Sequence, residues 1–162
     1  MFVVMFEVRP KPERRDDYLA LAARLRPELE AIDGFLSVER FQRVGRPGEL
    51  LSFSLWRDQA AVIAWREHGG HRLVQTMGRS EIFSDYRLRV GEIVDPSAPG
   101  ATMGISEGDT GAAADGDFDS LTRPGHWLRM GSDGDRLVRI ARDYGLYARA
   151  QAPPFHPPLP MI

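Results

Sequence analysis

The chain has 162 residues, 43% hydrophobic and 27% charged, with a formal net charge of −2, the composition of one ordinary globular domain or of a smaller domain with an appendage. Near-neutrality excludes a general affinity for nucleic acid or an anionic membrane surface. The lack of cysteine excludes disulfides, thiolate metal sites and a thiol nucleophile, and it fits a cytoplasmic location.

No run approaches the roughly 18 apolar residues of a membrane helix. The apolar opening Met1 to Phe6 meets a charge at Glu7 too soon for a signal peptide. One lysine, Lys11, against 20 arginines reads as the imprint of a GC-rich bacterial genome.

Residues 2–8 alternate, with Phe2, Val4, Phe6 and Val8 on one face and Val3, Met5 and Glu7 on the other, so a first strand is expected. Pro10 and Pro12 close it, because proline removes a ladder donor and suits a helix start. A helix follows from about Glu13 to Ile32, with Tyr18, Leu19, Leu21, Ala22, Leu25, Leu29 and Ile32 at spacings of three and four. Pro27 should kink or divide it, and Asp33-Gly34 ends it.

Phe35 to Arg43 alternates as a second strand. Residues 44–48 make a turn, and Glu49 to Trp56 forms a third strand in a hairpin with it. Within Ser52 to His68 the period changes from two to 3.6, which marks a strand-to-helix junction. Asp58 stands where its carboxylate can cap the helix. That helix covers Gln59 to about Arg79 and breaks at Gly69-Gly70. Ser80 to Val94 supplies the fourth strand. The β-α-β-β-α-β order over residues 1–94 is an α+β, ferredoxin-like arrangement.

Composition shifts after Val94. Residues 95–117 read as a flexible linker. Within the C-terminal extension, 118–162, Ser132 or Asp133 can cap a helix near 133–149 that carries Leu137, Ile140, Ala141, Tyr144 and Tyr147 on one side. Pro153 to Pro160 reads as polyproline-like. A single helix builds no core, so the extension should pack on the first domain or on a partner subunit.

Together these elements resemble the antibiotic biosynthesis monooxygenase-like family of dimeric α+β barrels. The matching features are the opening strand Phe2 to Val8, Gly34-Phe35, Leu55-Trp56-Arg57-Asp58, Ala64-Trp65-Arg66-Glu67-His68 with His71-Arg72, and the closing strand around Tyr86. The resemblance covers residues 1–94; the segment from Asp95 has no recognised counterpart. It implies a pocket beneath the helices and a twofold homodimer. A dimer also answers a physical need, since both faces of the first, second and fourth strands are apolar while two helices cover only one.

The resemblance further implies cofactor-free oxygenation of a quinol- or anthrone-type aromatic with O2, or, as in other members, haem degradation. Trp65 matches the family's pocket tryptophan and would stack on substrate; the alternative is a core anchor. His68 and His71, three apart, share a face of a regular helix, a spacing suited to ligation or proton transfer. No third His or carboxylate nearby completes a metal set, and a polar cap at the helix break is the alternative. Glu7 would act as a general base if its face lines the pocket, or else reaches water at the strand end.

Arg72 and Tyr86 suit a phenolate or carboxylate, whereas Arg87 and Arg89 read as surface residues. Haem-degrading members use a helix His where this chain has Gln75, and an Asn on the first strand, which has none here; haem stays an alternative through His71. Phosphate-loop, Rossmann and nucleophile-elbow signatures are absent. The expectation is a cofactor-free, monooxygenase-like homodimer. Trp65 and His68 would contact substrate, His71 or Glu7 would take a proton, and Arg72 and Tyr86 would hold the anion. A haem-binding or haem-degrading protein of the same fold, or a non-catalytic small-ligand-binding dimer, is the alternative.

Overall fold

A computed structural model describes residues 1–110 and 113–153. Its first part holds β1 (Phe2–Pro10), α1 (Arg15–Glu30), β2 (Phe35–Arg43), β3 (Leu50–Trp56), α2 (Gln59–Glu67), α3 (Gly69–Met77) and β4 (Phe83–Val94). The four strands pair antiparallel in the order β4-β1-β3-β2. The ferredoxin-like α+β expectation is met. α1 runs through Pro27 undivided. The break between α2 and α3 falls at His68, whose ψ of 130° is non-helical, while Gly69 and Gly70 form the first turn of α3. Asp58 caps α2 by accepting from the Ala61 amide at 2.9 Å, which satisfies a donor the helix itself cannot. No helix among the described residues is long and apolar enough to cross a membrane.

The C-terminal segment departs from expectation. Where a flexible linker and a helix were expected, there are four strands: β5 (Met103–Gly108), β6 (Phe118–Ser120), β7 (Trp127–Gly131) and β8 (Arg136–Gly145). β6 pairs with β2, and β8 with β4, so all eight strands close into one antiparallel barrel, β1-β3-β2-β6-β7-β5-β8-β4. The helix expected near 133–149 is a strand for a definite reason. The β4–β8 register slips between Val90 and Gly91, which face Arg142 and Ile140 and leave Ala141 unpaired. A one-residue bulge moves every later side chain to the other face. Apolar residues then fall at Ile140 and Tyr144, a spacing that imitates a helix. Of the expected polyproline end, 154–160 lies outside the described residues.

Closure sorts the core. The odd positions of β1 and β3 point into the barrel, where Val3, Met5, Leu51 and Phe53 pack with Phe41 and with Met103, Ile105, Phe118, Leu128 and Val138 of the new strands. The even positions, among them Val4, Phe6, Leu50 and Trp56, face the helices. Gly91 lies on the inner side, where a Cβ would come within 2.4 Å of Val138 Cγ1. The second apolar face is thus buried by the chain's own strands. Among the described residues, the apolar face for which a partner subunit was expected is covered within the chain.

Candidate active site

Between the outer face of the sheet and α1, α2 and α3 lies a cavity of about 200 Å³. Most of its wall is apolar because the even positions of β1 and β4, Val4, Phe6, Leu88 and Val90, meet Leu25 and Leu29 of α1 and Val62 of α2 across it. Ser54, also on this face, accepts a hydrogen bond from the buried Trp56 indole at 2.9 Å.

Trp65 projects from the last turn of α2, and the break at His68 folds α3 back over it. The His71 ring stacks on the indole, centroids 4.2 Å apart and planes 14° from parallel. The His68 ring lies near-parallel to the same indole at 5.5 Å. His71 Nδ1 is 3.0 Å from the Trp65 carbonyl oxygen. A carbonyl can only accept, so in this contact Nδ1 carries the proton and the neutral ring keeps its lone pair on Nε2; the Gln75 side-chain amide lies 3.1 Å from Nδ1 and 3.4 Å from Nε2. Burial pulls the His71 pKa down to about 4, against the opposing pull of the Trp65 carbonyl, and the neighbouring His68 lowers it further. The imidazole is therefore neutral at physiological pH.

Besides Ser52, Gln59 and Gln75, the rest of the polar lining is cationic and phenolic. Arg40, Arg66, Arg79 and Arg142 line the cavity, and no Asp or Glu is among the described residues that do so. The Tyr86 hydroxyl accepts from Arg149 Nη1 at 2.7 Å, and Arg149 also donates to the Gly145 carbonyl. Burial pushes Tyr144 up to about 12, with the Tyr86 phenol adding to the effect and the charges of Arg66, Arg149 and Arg142 opposing it. Burial likewise raises Tyr18 against the adjacent Arg40. Arg79 is lowered, chiefly by burial and also by the like charge of Arg149, while Tyr86 and Tyr144 act the other way.

Of the residues singled out from sequence, the structure brings Trp65, His71 and Tyr86 together at this cavity. His68 sits outside it, half-exposed, with Nδ1 3.3 Å from the Glu28 carboxylate. Arg72 is exposed on α3 and does not reach the lining. Glu7 is corrected outright. It faces the barrel side of β1, where Arg43 at 2.6 Å and Arg89 clasp its carboxylate; the general-base assignment fails because the parity of β1 points it away from the cavity. Arg89 is accordingly no surface residue. Tyr18, Arg40, Arg66, Arg79, Arg142 and Tyr144 were missed. Arg40 carried a signal, being a charge at the helix-facing position next after Val38, but an arginine-rich composition masks such placements. Among the described residues no group of three or more His, Asp or Glu is disposed to hold a metal ion.

The sequence profile of the antibiotic biosynthesis monooxygenase family matches residues 1–76. A protein named jasmonate monooxygenase ABM, from Pyricularia oryzae, is 32% identical over an alignment of 214 residues that takes in 98% of this chain and 99% of that one. The crystal structure of an antibiotic biosynthesis monooxygenase superposes with a TM-score of 0.51 at 23% identity, covering 59% of this chain and 100% of its own. A protein from Mycobacterium tuberculosis gives 0.52 at 20%, covering 60% and 98%. These two share the fold over that part of the chain. The similarity to the Pyricularia protein runs from end to end, and with it the chain belongs to the antibiotic biosynthesis monooxygenase family.

Proposed function

We propose that this chain is an oxygenase that transfers oxygen from O2 to a compact ring molecule bearing an acidic C–H or O–H, with no resident organic cofactor. The observation that carries this reading is the pairing, at one apolar cavity, of a stacked Trp65–His71 wall with four guanidiniums. A substrate ring lies against the edge of the Trp65–His71 pair, and its proton passes to His71 Nε2. A base held near 4 is a weak one, so the acidity has to come from the substrate side. Guanidiniums in a water-poor cavity stabilise the anion as it forms. The electron-rich anion then reacts with O2. For a methylene flanked by aromatic rings, as in an anthrone, the substrate supplies all four electrons. One oxygen atom becomes the ketone and the other leaves as water with the two methylene hydrogens.

Haem finds less support at this cavity. About 200 Å³ falls below even the roughly 300–1,000 Å³ of sites for drug-sized ligands. The test is oxygen uptake with anthrones, hydroquinones and jasmonate, the compound for which the relative is named, with no cofactor added. At least one class should consume O2 above the buffer rate. Trp65→Ala should abolish that consumption, and His71→Phe should cut it at least tenfold. Uptake at the buffer rate for the whole panel defeats the proposal.

A further inference from the structure

The C-terminal strands do more than close the barrel; β8 is also a wall of the cavity. Val138 and Ile140 belong to the barrel interior, and an unbroken alternation would send Arg142 and Tyr144 after them. The unpaired Ala141 reverses the parity. Arg142 comes to lie opposite Val90 and Tyr144 opposite Leu88, and all four line the cavity. The bulge thus aims a guanidinium and a phenol at a space that otherwise belongs to the helix-covered domain.

Three cations act on the Tyr144 phenol: Arg66 from α2, Arg149 beyond β8, and Arg142 on the same strand. Arg142 is tethered by donating Nη1 to the Gln151 carbonyl at 3.2 Å. Tyr144 is buried and stays protonated at neutral pH. A guanidinium has no acceptor, and a protonated phenol has a hydrogen to give. This wall of the cavity therefore presents donors, set against the hydrocarbon of Val4, Phe6, Leu25, Leu29, Leu88 and Val90. A planar carboxylate on a compact apolar body matches both, since a guanidinium fork engages two carboxylate oxygens at once.

We propose that the substrate is an organic carboxylate and that Arg142 and Tyr144 of β8, with Arg66 of α2, bind its carboxylate group, so that the C-terminal segment sets anion specificity. This rests on the cavity being the substrate site of the proposed oxygenase.

The test is calorimetric titration of the full chain with 1-naphthylacetate and with its methyl ester, which share a body and differ in charge. The wild type should bind the acid at least tenfold more tightly. Arg142→Ala and Arg142→Gln should bring the two within about twofold by weakening the acid alone, and Tyr144→Phe should narrow the gap. Arg139→Ala, on the same strand but paired with Glu92 at 2.5 Å, should keep the full preference. Equal binding of acid and ester by the wild type, a preference undiminished in both Arg142 variants, or binding of neither probe overturns the inference. Selective acid binding without O2 uptake on any acid upholds it while defeating the oxygenase proposal. Turnover confined to uncharged substrates does the reverse.

Discussion

Replacing Phe118 by alanine separates a closed single-chain barrel from a ferredoxin-like domain trailing a loose tail. In a solvated tail the change would cost almost nothing, as surface substitutions usually stay within about 0.5 kcal/mol. In the structure the ring is 1% exposed inside the barrel, with the Arg43 guanidinium 4.3 Å from its centroid. Core Phe→Ala substitutions cost roughly 3–5 kcal/mol through lost transfer energy and a residual cavity. β6 is only three residues long and can relax toward the space, so the low end, about 3 kcal/mol, is expected. With a urea m-value of about 2 kcal/mol/M, the unfolding midpoint should fall by about 1.5 M. Leu128→Ala, at a fully buried position on β7, should cost a similar roughly 2–5 kcal/mol. Tyr147→Ala, 77% exposed, serves as the control. Urea titrations followed by tryptophan fluorescence and far-UV circular dichroism measure all three. If Phe118→Ala and Leu128→Ala both fall within about 0.5 kcal/mol of wild type with an unchanged m-value, the barrel argument is refuted.

Glu7→Gln should lower stability by roughly 3 kcal/mol, because it takes from Arg89 its carboxylate in the barrel wall and leaves Arg43 with Glu49 alone, yet leave oxygen uptake and probe binding untouched; a fall in turnover without loss of stability would restore Glu7 as a base. His71 should give stability a pH dependence. Its folded pKa of about 4 lies below the roughly 6.5 of an unfolded chain, so between those values the unfolded chain binds a proton that the folded one does not. Stability should therefore drop as pH falls from 6.5 to 4, with a slope of up to about 1.4 kcal/mol per pH unit. His71→Phe should flatten urea midpoints across that window, and an identical slope in the variant counts against the buried, neutral assignment.

The first 94 residues were legible because each element carries a regular period and a chemical stop. Gly34, at φ +88°, takes the left-handed conformation that ends the α1 turn, and Asp58 begins α2 where its capping bond forms. The second half was illegible for equally physical reasons. Three of its four strands are only three to six residues long, and each of the four gives the barrel only one or two large side chains, so composition resembles a linker. Gly104, which helps give 95–117 that look, is required by close packing: a Cβ there would come within 2.1 Å of the Asp133 carbonyl oxygen. In β8 the bulge at Ala141 breaks alternation and lends the strand a helical spacing. At the site, Trp65 and His71 were readable from the junction motif. Arg142 and Tyr144 were not, because their aim depends on a register slip against a strand some fifty positions earlier.

The single-chain barrel also bears on how the site can vary. Two identical subunits closing a barrel must carry every substitution twice, so a change that reshapes one wall acts at both symmetric copies. Here the opposing sheets are encoded separately. One keeps the three helices and the hollow beneath them, while the other is free to shed helices, bend at Ala141 and send a strand around to the far side. Each half can mutate without its counterpart having to tolerate the same residue.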